Sequence, residues 1–140
     1  MNAQAIIKTL GLEPHPEGGW FRQTWIAEAE GDDRPVGTSI YYLLEKNQRS
    51  HWHRVDAVEI WHWYAGAPLR ILQSESDTGP VTHTLLGPDL QQGQQPQIIV
   101  PAGHWQSTET ITDWALVGCT VSPGFRFDGF VLAPEGWQPG

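Results

Sequence analysis

The sequence has little cysteine, little positive charge and no long apolar run, and each absence excludes a class of protein. Its single cysteine, Cys119, rules out an internal disulfide and favours a reducing, cytoplasmic compartment. A net charge of −8, with no cluster of Lys or Arg, argues against nucleic acid and against anionic membrane surfaces as partners. No apolar stretch reaches the length of about 18 residues that spans a bilayer, and no charged-then-apolar leader is visible. We therefore expect neither membrane insertion nor export.

The chain, residues 1–140, is long enough to form one domain with its own core. Only residues 1–12 have helical periodicity, with apolar side chains recurring along Ala3–Leu10. Asn2 is the predicted N-cap of this helix, and Gly11 is its predicted C-cap. The sequence therefore predicts a short N-terminal helix.

From residue 20 to residue 132 the sequence consists of short strand-like runs separated by Pro-, Gly- and Asp-rich turns. The predicted strands are Trp20–Ile26, Thr38–Leu44, His51–Arg54, Val58–Tyr64, Pro68–Gln73, Val81–Leu86, Gln97–Val100, Trp105–Thr108, Trp114–Thr120 and Phe125–Leu132. Many short strands with turn signals about every 8–12 residues are typical of an all-β sandwich or barrel.

Two histidines, His51 and His53, stand in one of the predicted strands. Because side chains alternate across a strand, residues two apart point to the same face. The carboxylate of Glu59, on the next strand, can approach that face if the two strands pair. Imidazole and carboxylate are the usual groups for metal binding and for proton transfer, so these three residues are candidate catalytic residues. By the same alternation we expect His62 on the opposite face, as a packed or interface residue.

Eight tryptophans are unusual in a chain of this length. Indole buries a large surface while its N–H needs a partner, so tryptophan often lines pockets, although any single one can equally fill a core. Trp61, Trp63 and Trp105 flank the candidate site and are candidate ligand-binding residues. Tyr41 and Tyr42 lie on opposite faces of one strand. The sequence leaves open which of them faces the cavity, and we take Tyr41 as the candidate.

The Pro14–Gly19 segment is rich in proline and glycine, so it is predicted to be an irregular loop. It carries His15 and Glu17. Such a loop can close the mouth of a pocket, or it can simply connect the helix to the barrel, and the sequence favours neither.

Two longer motifs stand out, one formed by His51, His53, Glu59 and Gly66, and a second formed by Pro101–Gln106. They resemble the first and second motifs of the cupin superfamily. More narrowly, the chain resembles the uncharacterised cupin family formerly called domain of unknown function 985. The segments that carry this resemblance are Leu12–Gly19, Thr38–Leu44, His51–Val55, Glu59–Gly66, Val100–Gly103 with Trp105 and Gln106, and Gly118–Phe125.

The resemblance implies a double-stranded β-helix, the cupin jelly roll, over residues 20–132, in a protein that is usually a homodimer. It also implies a metal site, whose ligands here would be His51, His53, Glu59 and Gln106. The sequence departs from the family pattern, because Glu59 is one residue out of step and Gln106 stands where a histidine is usual. An amide oxygen is a poorer ligand for zinc or iron than imidazole. The site is therefore either rebuilt around a divalent metal (zinc, iron, manganese or nickel) or free of metal.

Two hypotheses for the function follow. In the first, the protein is an isomerase- or epimerase-like enzyme that acts on a small carbohydrate- or nucleotide-like molecule. It would resemble the metal-free deoxysugar-nucleotide epimerases of the superfamily, with His51 or His53 as the base and Glu59 as its orienting partner. A metal-assisted enzyme is a variant of this idea. In the second, the aromatic pocket, with Gln106 among its polar groups, binds a sugar or nucleobase without turnover.

Overall fold

The structure, a computed structural model, describes all 140 residues. Its α-helix, α1, spans Ala3–Leu10. The side chain of Asn2 caps the first turn, and Gly11 ends the helix in the left-handed conformation with a φ of 66°, as predicted. Ile6 anchors α1 to the rest of the molecule by packing against Leu43. No helix in the structure has both the length and the apolar character needed to cross a membrane.

The remainder of the chain forms two antiparallel sheets. The strands are β1 (Glu13–Pro14), β2 (Trp20–Ile26), β3 (Thr38–Leu44), β4 (Arg49–Val55), β5 (Val58–Gly66), β6 (Leu69–Ser74), β7 (Thr82–Leu86), β8 (Gln97–Val100), β9 (Trp105–Thr110), β10 (Ala115–Ser122) and β11 (Phe130–Leu132). The order is β1-β2-β3-β10-β5-β8 in the six-stranded sheet and β11-β4-β9-β6-β7 in the five-stranded sheet. This is the all-β architecture that the turn spacing predicts.

Side chains that alternate inward from both sheets form the main core. Its buried residues are Tyr42, Leu44, Trp61, Leu69, Ile71, Leu86, Ile98, Val100, Ala115, Val117 and Cys119. Strand β5 shows the alternation clearly, because Glu59 and Trp61 are buried while Tyr64 is half exposed. His62 lies on the outer face of β5, where its Nε2 is 3.2 Å from Thr120 Oγ1. The parity expected for β5 is therefore the observed one.

The structure differs from the predicted strands in two places that shape the cavity. The predicted strand Phe125–Leu132 is mostly not a strand, since a 3₁₀ turn at Phe127–Gly129 precedes the short β11. Strand β4 is longer than predicted and irregular, because its pairing with β9 shifts register between Ser50 and His53. A β-bulge of this kind places one extra residue in a strand and re-aims the side chains that follow.

Candidate functional site

A cavity of about 180 Å³ lies between the two sheets. Its lining combines apolar side chains with ionisable groups. The phenylalanines of the lining are Phe21, Phe125, Phe127 and Phe130, and the ionisable groups are His15, Glu17, His53, Glu59 and Cys119. Concave apolar pockets with a few polar groups are the usual form of small-molecule sites, so this cavity is the candidate functional site.

The bulge in β4 separates the two histidines of the first motif. His53 is 2% exposed and lines the cavity, whereas the ring of His51 points away and its Nε2 lies 2.9 Å from the carbonyl oxygen of Pro134. In a regular strand the two would share a face, but the register shift places Ser50 and His53 inward instead. The structure therefore does not bring His51 to the candidate site.

The loop between β1 and β2 supplies a carboxylate that the site hypothesis did not include. Glu17 lies directly before Gly18 and Gly19, whose φ angles of 108° and 76° favour glycine. A Cβ on Gly19 would come within 2.7 Å of Tyr42 Oη, and one on Gly18 would clash with the carbonyl oxygen of Arg49. Both glycines thus let the loop pack closely on β3 and β4, which holds Glu17 in the cavity. The sequence left open whether this loop closes a pocket or only connects the helix to the barrel. In the structure it does more than connect, because it packs on the barrel and places Glu17 in the wall of the cavity.

Glu17 and His53 form a buried ion pair. Glu17 Oε2 is 2.9 Å from His53 Nδ1 and also accepts a hydrogen bond from the hydroxyl of Ser50. Burial opposes both charges, but each partner stabilises the other, so the pKa of His53 rises to about 9 and the pKa of Glu17 falls below its ordinary value. At neutral pH the pair is therefore an imidazolium and a carboxylate. Since Nδ1 faces Glu17, the ring nitrogen left for a ligand is Nε2.

His15 is a neutral neighbour of this pair. Its Nδ1 accepts the backbone N–H of Glu17 at 3.1 Å, which requires that this nitrogen carries no proton. Burial lowers the pKa of His15, in agreement with that assignment. The contact of 3.3 Å between His15 Nδ1 and Glu17 Oε1 is therefore not an ion pair. The ring also packs edge-on against Phe21 at a centroid distance of 4.6 Å, so His15 mainly shapes the site.

Gln106 links the core to Glu59 by a short hydrogen-bonded chain. Trp61 Nε1 donates to Gln106 Oε1 at 3.0 Å, and Gln106 Nε2 donates to Glu59 Oε1 at 2.8 Å. The indole N–H settles the orientation of the amide, because Oε1 must be the acceptor facing Trp61. Glu59 is 8% exposed, and burial raises its pKa to about 7 against the attraction of His53. The site thus holds one buried ion pair and one carboxyl group whose pKa lies near neutral pH.

These donors do not fit a metal of the kind that the resemblance implies. His51 is outside the cavity, and the amide oxygen of Gln106 already accepts from Trp61. The amide nitrogen of Gln106 points at Glu59, so a hydrogen bond occupies the place between them where a cation would lie. No group of three or more His, Cys, Asp or Glu side chains is arranged to hold a metal ion. The proposed ligand set of four residues is not assembled.

The aromatic residues named as ligand contacts lie elsewhere. Trp61 is 1% exposed core, and Trp63 donates its indole N–H to the carbonyl oxygen of Ala67. Tyr41 stacks edge-on with Tyr64 on the outer face of the six-stranded sheet. Trp105 packs with Trp52 and Trp137 on the outer face of β9, opposite Gln106. None of these candidates lines the cavity.

Phenylalanines, which were not among the predicted ligand contacts, form the aromatic lining instead. Three of the four, Phe125, Phe127 and Phe130, come from the segment predicted as a single strand, where the 3₁₀ turn changes the direction of the side chains. No periodicity signals such a turn. Glu17 could have been found, because it stands inside the Leu12–Gly19 motif that carries the family resemblance.

Comparisons with known proteins agree with this architecture. The family model described as Cupin superfamily (DUF985) matches residues 4–133. A solved structure of a protein from Shewanella oneidensis is 42% identical, with a TM-score of 0.89, covering 95% of this chain and 85% of its own. A hypothetical protein from Leishmania major is 28% identical, with a TM-score of 0.88, covering 98% of this chain and 90% of its own.

More distant likeness extends to an enzyme, oxalate decarboxylase from Bacillus subtilis. It is 13% identical with a TM-score of 0.65, and the match covers 85% of this chain and 29% of that one, so the likeness shows the fold alone. No curated protein matches the chain. The predicted jelly roll is thereby confirmed, and the chain belongs to the cupin superfamily, in the family designated DUF985.

Proposed function

We propose that this protein is an isomerase- or epimerase-like enzyme that transfers a proton on a small molecule held in the cavity, without a metal. The observation that carries the proposal is the buried Glu17–His53 ion pair beside the carboxyl group of Glu59, all three facing one cavity. Pairs of ionisable groups whose environments push their pKa values apart are typical of acid–base sites.

The roles follow from the charges. With a pKa of about 9, His53 is protonated at neutral pH and is suited to be the acid rather than the base. Glu59, with a pKa of about 7, has a substantial ionised fraction and is suited to be the base. In this scheme Glu59 removes a proton from a carbon next to a carbonyl group, and His53 donates from Nε2 to the carbonyl oxygen. An isomerisation is completed when Glu59 returns the proton to the neighbouring carbon and His53, now neutral, takes the proton of the hydroxyl group on that carbon. An epimerisation requires instead that water protonates the same carbon from its opposite face, while His53 takes back the proton from the oxygen and Glu59 passes its proton to water.

The lining of the cavity narrows the substrate class. No Lys or Arg lines it, and its one cationic group, His53, is already paired with Glu17, so a diphosphate has no free cationic partner there. Its volume of about 180 Å³ also suits a molecule smaller than a nucleotide. We therefore favour a small carbonyl compound, carbohydrate-like in size, over a nucleotide. The cytoplasmic location expected from the sequence and the homodimer implied by the family resemblance stay part of the proposal.

Hydrogen exchange tests the proposed chemistry directly. Dihydroxyacetone and hydroxyacetone, incubated with the protein in deuterium oxide, should exchange the protons next to the carbonyl, as followed by proton NMR. Glu59→Gln keeps the shape of the side chain but removes the base, and should lower the exchange rate by at least about 100-fold. His62→Gln, on the outer face of the same strand, is the matched control and should exchange at the wild-type rate. Equal exchange by wild type and Glu59→Gln would contradict the assignment of the base.

A binding protein without turnover is the second candidate. The observation in its favour is that the Glu17–His53 pair is satisfied internally, while phenylalanines provide much of the wall. A polar network that is complete without a ligand also serves to stabilise a pocket. Line broadening of a probe in the NMR spectrum, without deuterium incorporation and abolished by substitutions in the cavity, would favour this alternative.

A further inference from the structure

Glu59 is the one ionisable group of the cavity whose charge has no counter-charge committed to it. Glu17 and His53 neutralise each other through their ion pair. Glu59 accepts hydrogen bonds only from neutral groups, the amide of Gln106 and the thiol of Cys119, and is 8% exposed. An ionised carboxylate that is buried without a cationic partner is costly, and an arriving cation would remove that cost.

The wall of the cavity is favourable to a cation as well. Phe125, Phe127 and Phe130 contact one another edge to face, with ring centroids between 5.0 and 6.0 Å apart. All three line the cavity that Glu59 faces. Aromatic faces attract organic cations within about 6 Å of the ring centroid, and they also accommodate the apolar part of a ligand.

Outside this wall lies a second, open cleft of about 800 Å³, which shares Phe125 and Phe127 with the cavity. Four carboxylates line this outer cleft, those of Glu28, Asp32, Asp33 and Asp128. Its one basic side chain, Arg126, donates to the carbonyl oxygen of Asp32. The neighbouring Arg34 is likewise committed, to Asp56 and to the carbonyl oxygen of Gly124. The surface next to the cavity is therefore acidic, which raises the local concentration of cations.

We propose that the ligand of this cavity is a small organic cation, an ammonium compound whose charged group lies beside Glu59 and whose apolar part packs on the phenylalanine wall. This inference rests on the proposed function for the location of the site and adds the chemical class of the substrate. It is independent of whether the bound molecule is turned over. A carbonyl compound that also carries an amino group would satisfy both proposals.

Three probes with the same ring and different charge test the class: benzylammonium, benzyl alcohol and benzoate. Their affinities for the full-length protein are measured by calorimetry or ligand-observed NMR at neutral pH. We expect benzylammonium to bind about tenfold more tightly than benzyl alcohol, and benzoate to bind more weakly than either. Glu59→Gln should reduce the affinity for benzylammonium to within about twofold of that for benzyl alcohol while leaving benzyl alcohol unchanged.

The acidic cleft is tested by the double variant Asp32→Asn/Asp33→Asn. The affinity for benzylammonium should fall by about threefold in this variant and should depend less on salt concentration. The substitutions remove a long-range electrostatic attraction, which salt screens. His62→Gln is the folded control and should bind all three probes as wild type does. Any order in which benzylammonium is not the tightest, including no binding of any probe, overturns the cation proposal. If benzylammonium is not the tightest probe but deuterium exchange still depends on Glu59, the proposed enzyme activity is supported and only the substrate class is wrong.

Discussion

Strands β4 and β9 each contribute to two regions of opposite character. Of their inward side chains, His53 lines the cavity, and Gln106 donates a hydrogen bond to Glu59 in the wall of that cavity. Their outward neighbours, Trp52 and Trp105, pack with Trp137 of the C-terminal tail in an outer tryptophan cluster. The two regions lie back to back on one sheet, and adjacent residues in the sequence are divided between them.

The two regions satisfy their polar groups in different ways. In the tryptophan cluster the indole N–H of Trp105 donates to Asp77 at 2.8 Å, and Arg54 lies 4.7 Å from the centroid of its ring. Trp105 itself is buried, but its partners Asp77 and Arg54 are exposed, so water can replace the hydrogen bond or contact that either of them makes. In the cavity the partners of Glu17 and His53 are other buried groups. Burial makes each partner indispensable, so substitutions should cost far more in the cavity than outside it.

Removing the charge of Glu17 should have the largest effect. Glu17→Gln leaves the imidazolium of His53 buried without its counter-ion, and breaking a buried pair in this way destabilises by about 3–5 kcal/mol. Urea unfolding of wild type and variant measures the loss. The double variant Glu17→Gln/His53→Gln should recover part of it, because no uncompensated charge remains. If Glu17→Gln were as stable as wild type, the expectation that substitutions cost more in the cavity than in the tryptophan cluster would be wrong.

The pH dependence of stability should also arise in the cavity. The pKa of His53 is about 9 in the folded protein against 6.5 ordinarily, so its stabilising contribution is complete below 6.5 and is lost as the pH rises to about 9. Because burial raises the pKa of Glu59 from 4.5 to about 7, Glu59 also lowers the free energy of unfolding as the pH rises from 4.5 to about 7. The loss from His53 is on the order of 3 kcal/mol. Between about pH 7 and 9 the free energy of unfolding should fall less in Glu17→Gln/His53→Gln than in wild type, because this double variant lacks the imidazolium and leaves no unpaired carboxylate behind.

Truncating the outer cluster should have a smaller effect. Trp137 is partly buried between Trp52 and Trp105, and Trp137→Ala should cost about 2 kcal/mol, less than a fully buried aromatic side chain. Binding of benzylammonium in the cavity should stay within twofold of wild type. Loss of that binding would show that the two faces of the sheet are coupled.

The smallest effect is expected at His51. Its ring is hydrogen-bonded to the carbonyl oxygen of Pro134, so His51→Ala should cost about 1 kcal/mol and leave the cavity intact. Elemental analysis of the purified protein and of this variant should find no bound metal that depends on His51. A stoichiometric metal lost on substitution would restore the ligand set implied by the family resemblance.

Much of the fold could be predicted from local patterns. The caps of α1 depend on Asn2 and Gly11 alone, and the strands Trp20–Ile26, Thr38–Leu44 and Gln97–Val100 have the predicted bounds. The site was predictable only where strands are regular. Glu59 faces inward because β5 alternates without interruption up to that point, whereas the bulge in β4 turns His51 outward. A bulge depends on the pairing of two strands distant in sequence, so no pattern within His51–Arg54 reveals it.

The sequence by itself determined an all-β domain with an N-terminal helix, the family motifs, and a set of residues from which the site is drawn. Those properties follow from local propensity, hydrophobic alternation and turn chemistry, each of which acts over a few residues. Only the tertiary structure decided that Glu17, and not Glu59, pairs with His53, that Gln106 donates to a carboxylate, and that phenylalanines line the cavity. The bond between Gln106 and Glu59 joins residues 47 apart in the sequence, and the charges that such contacts set exist only once burial has removed water.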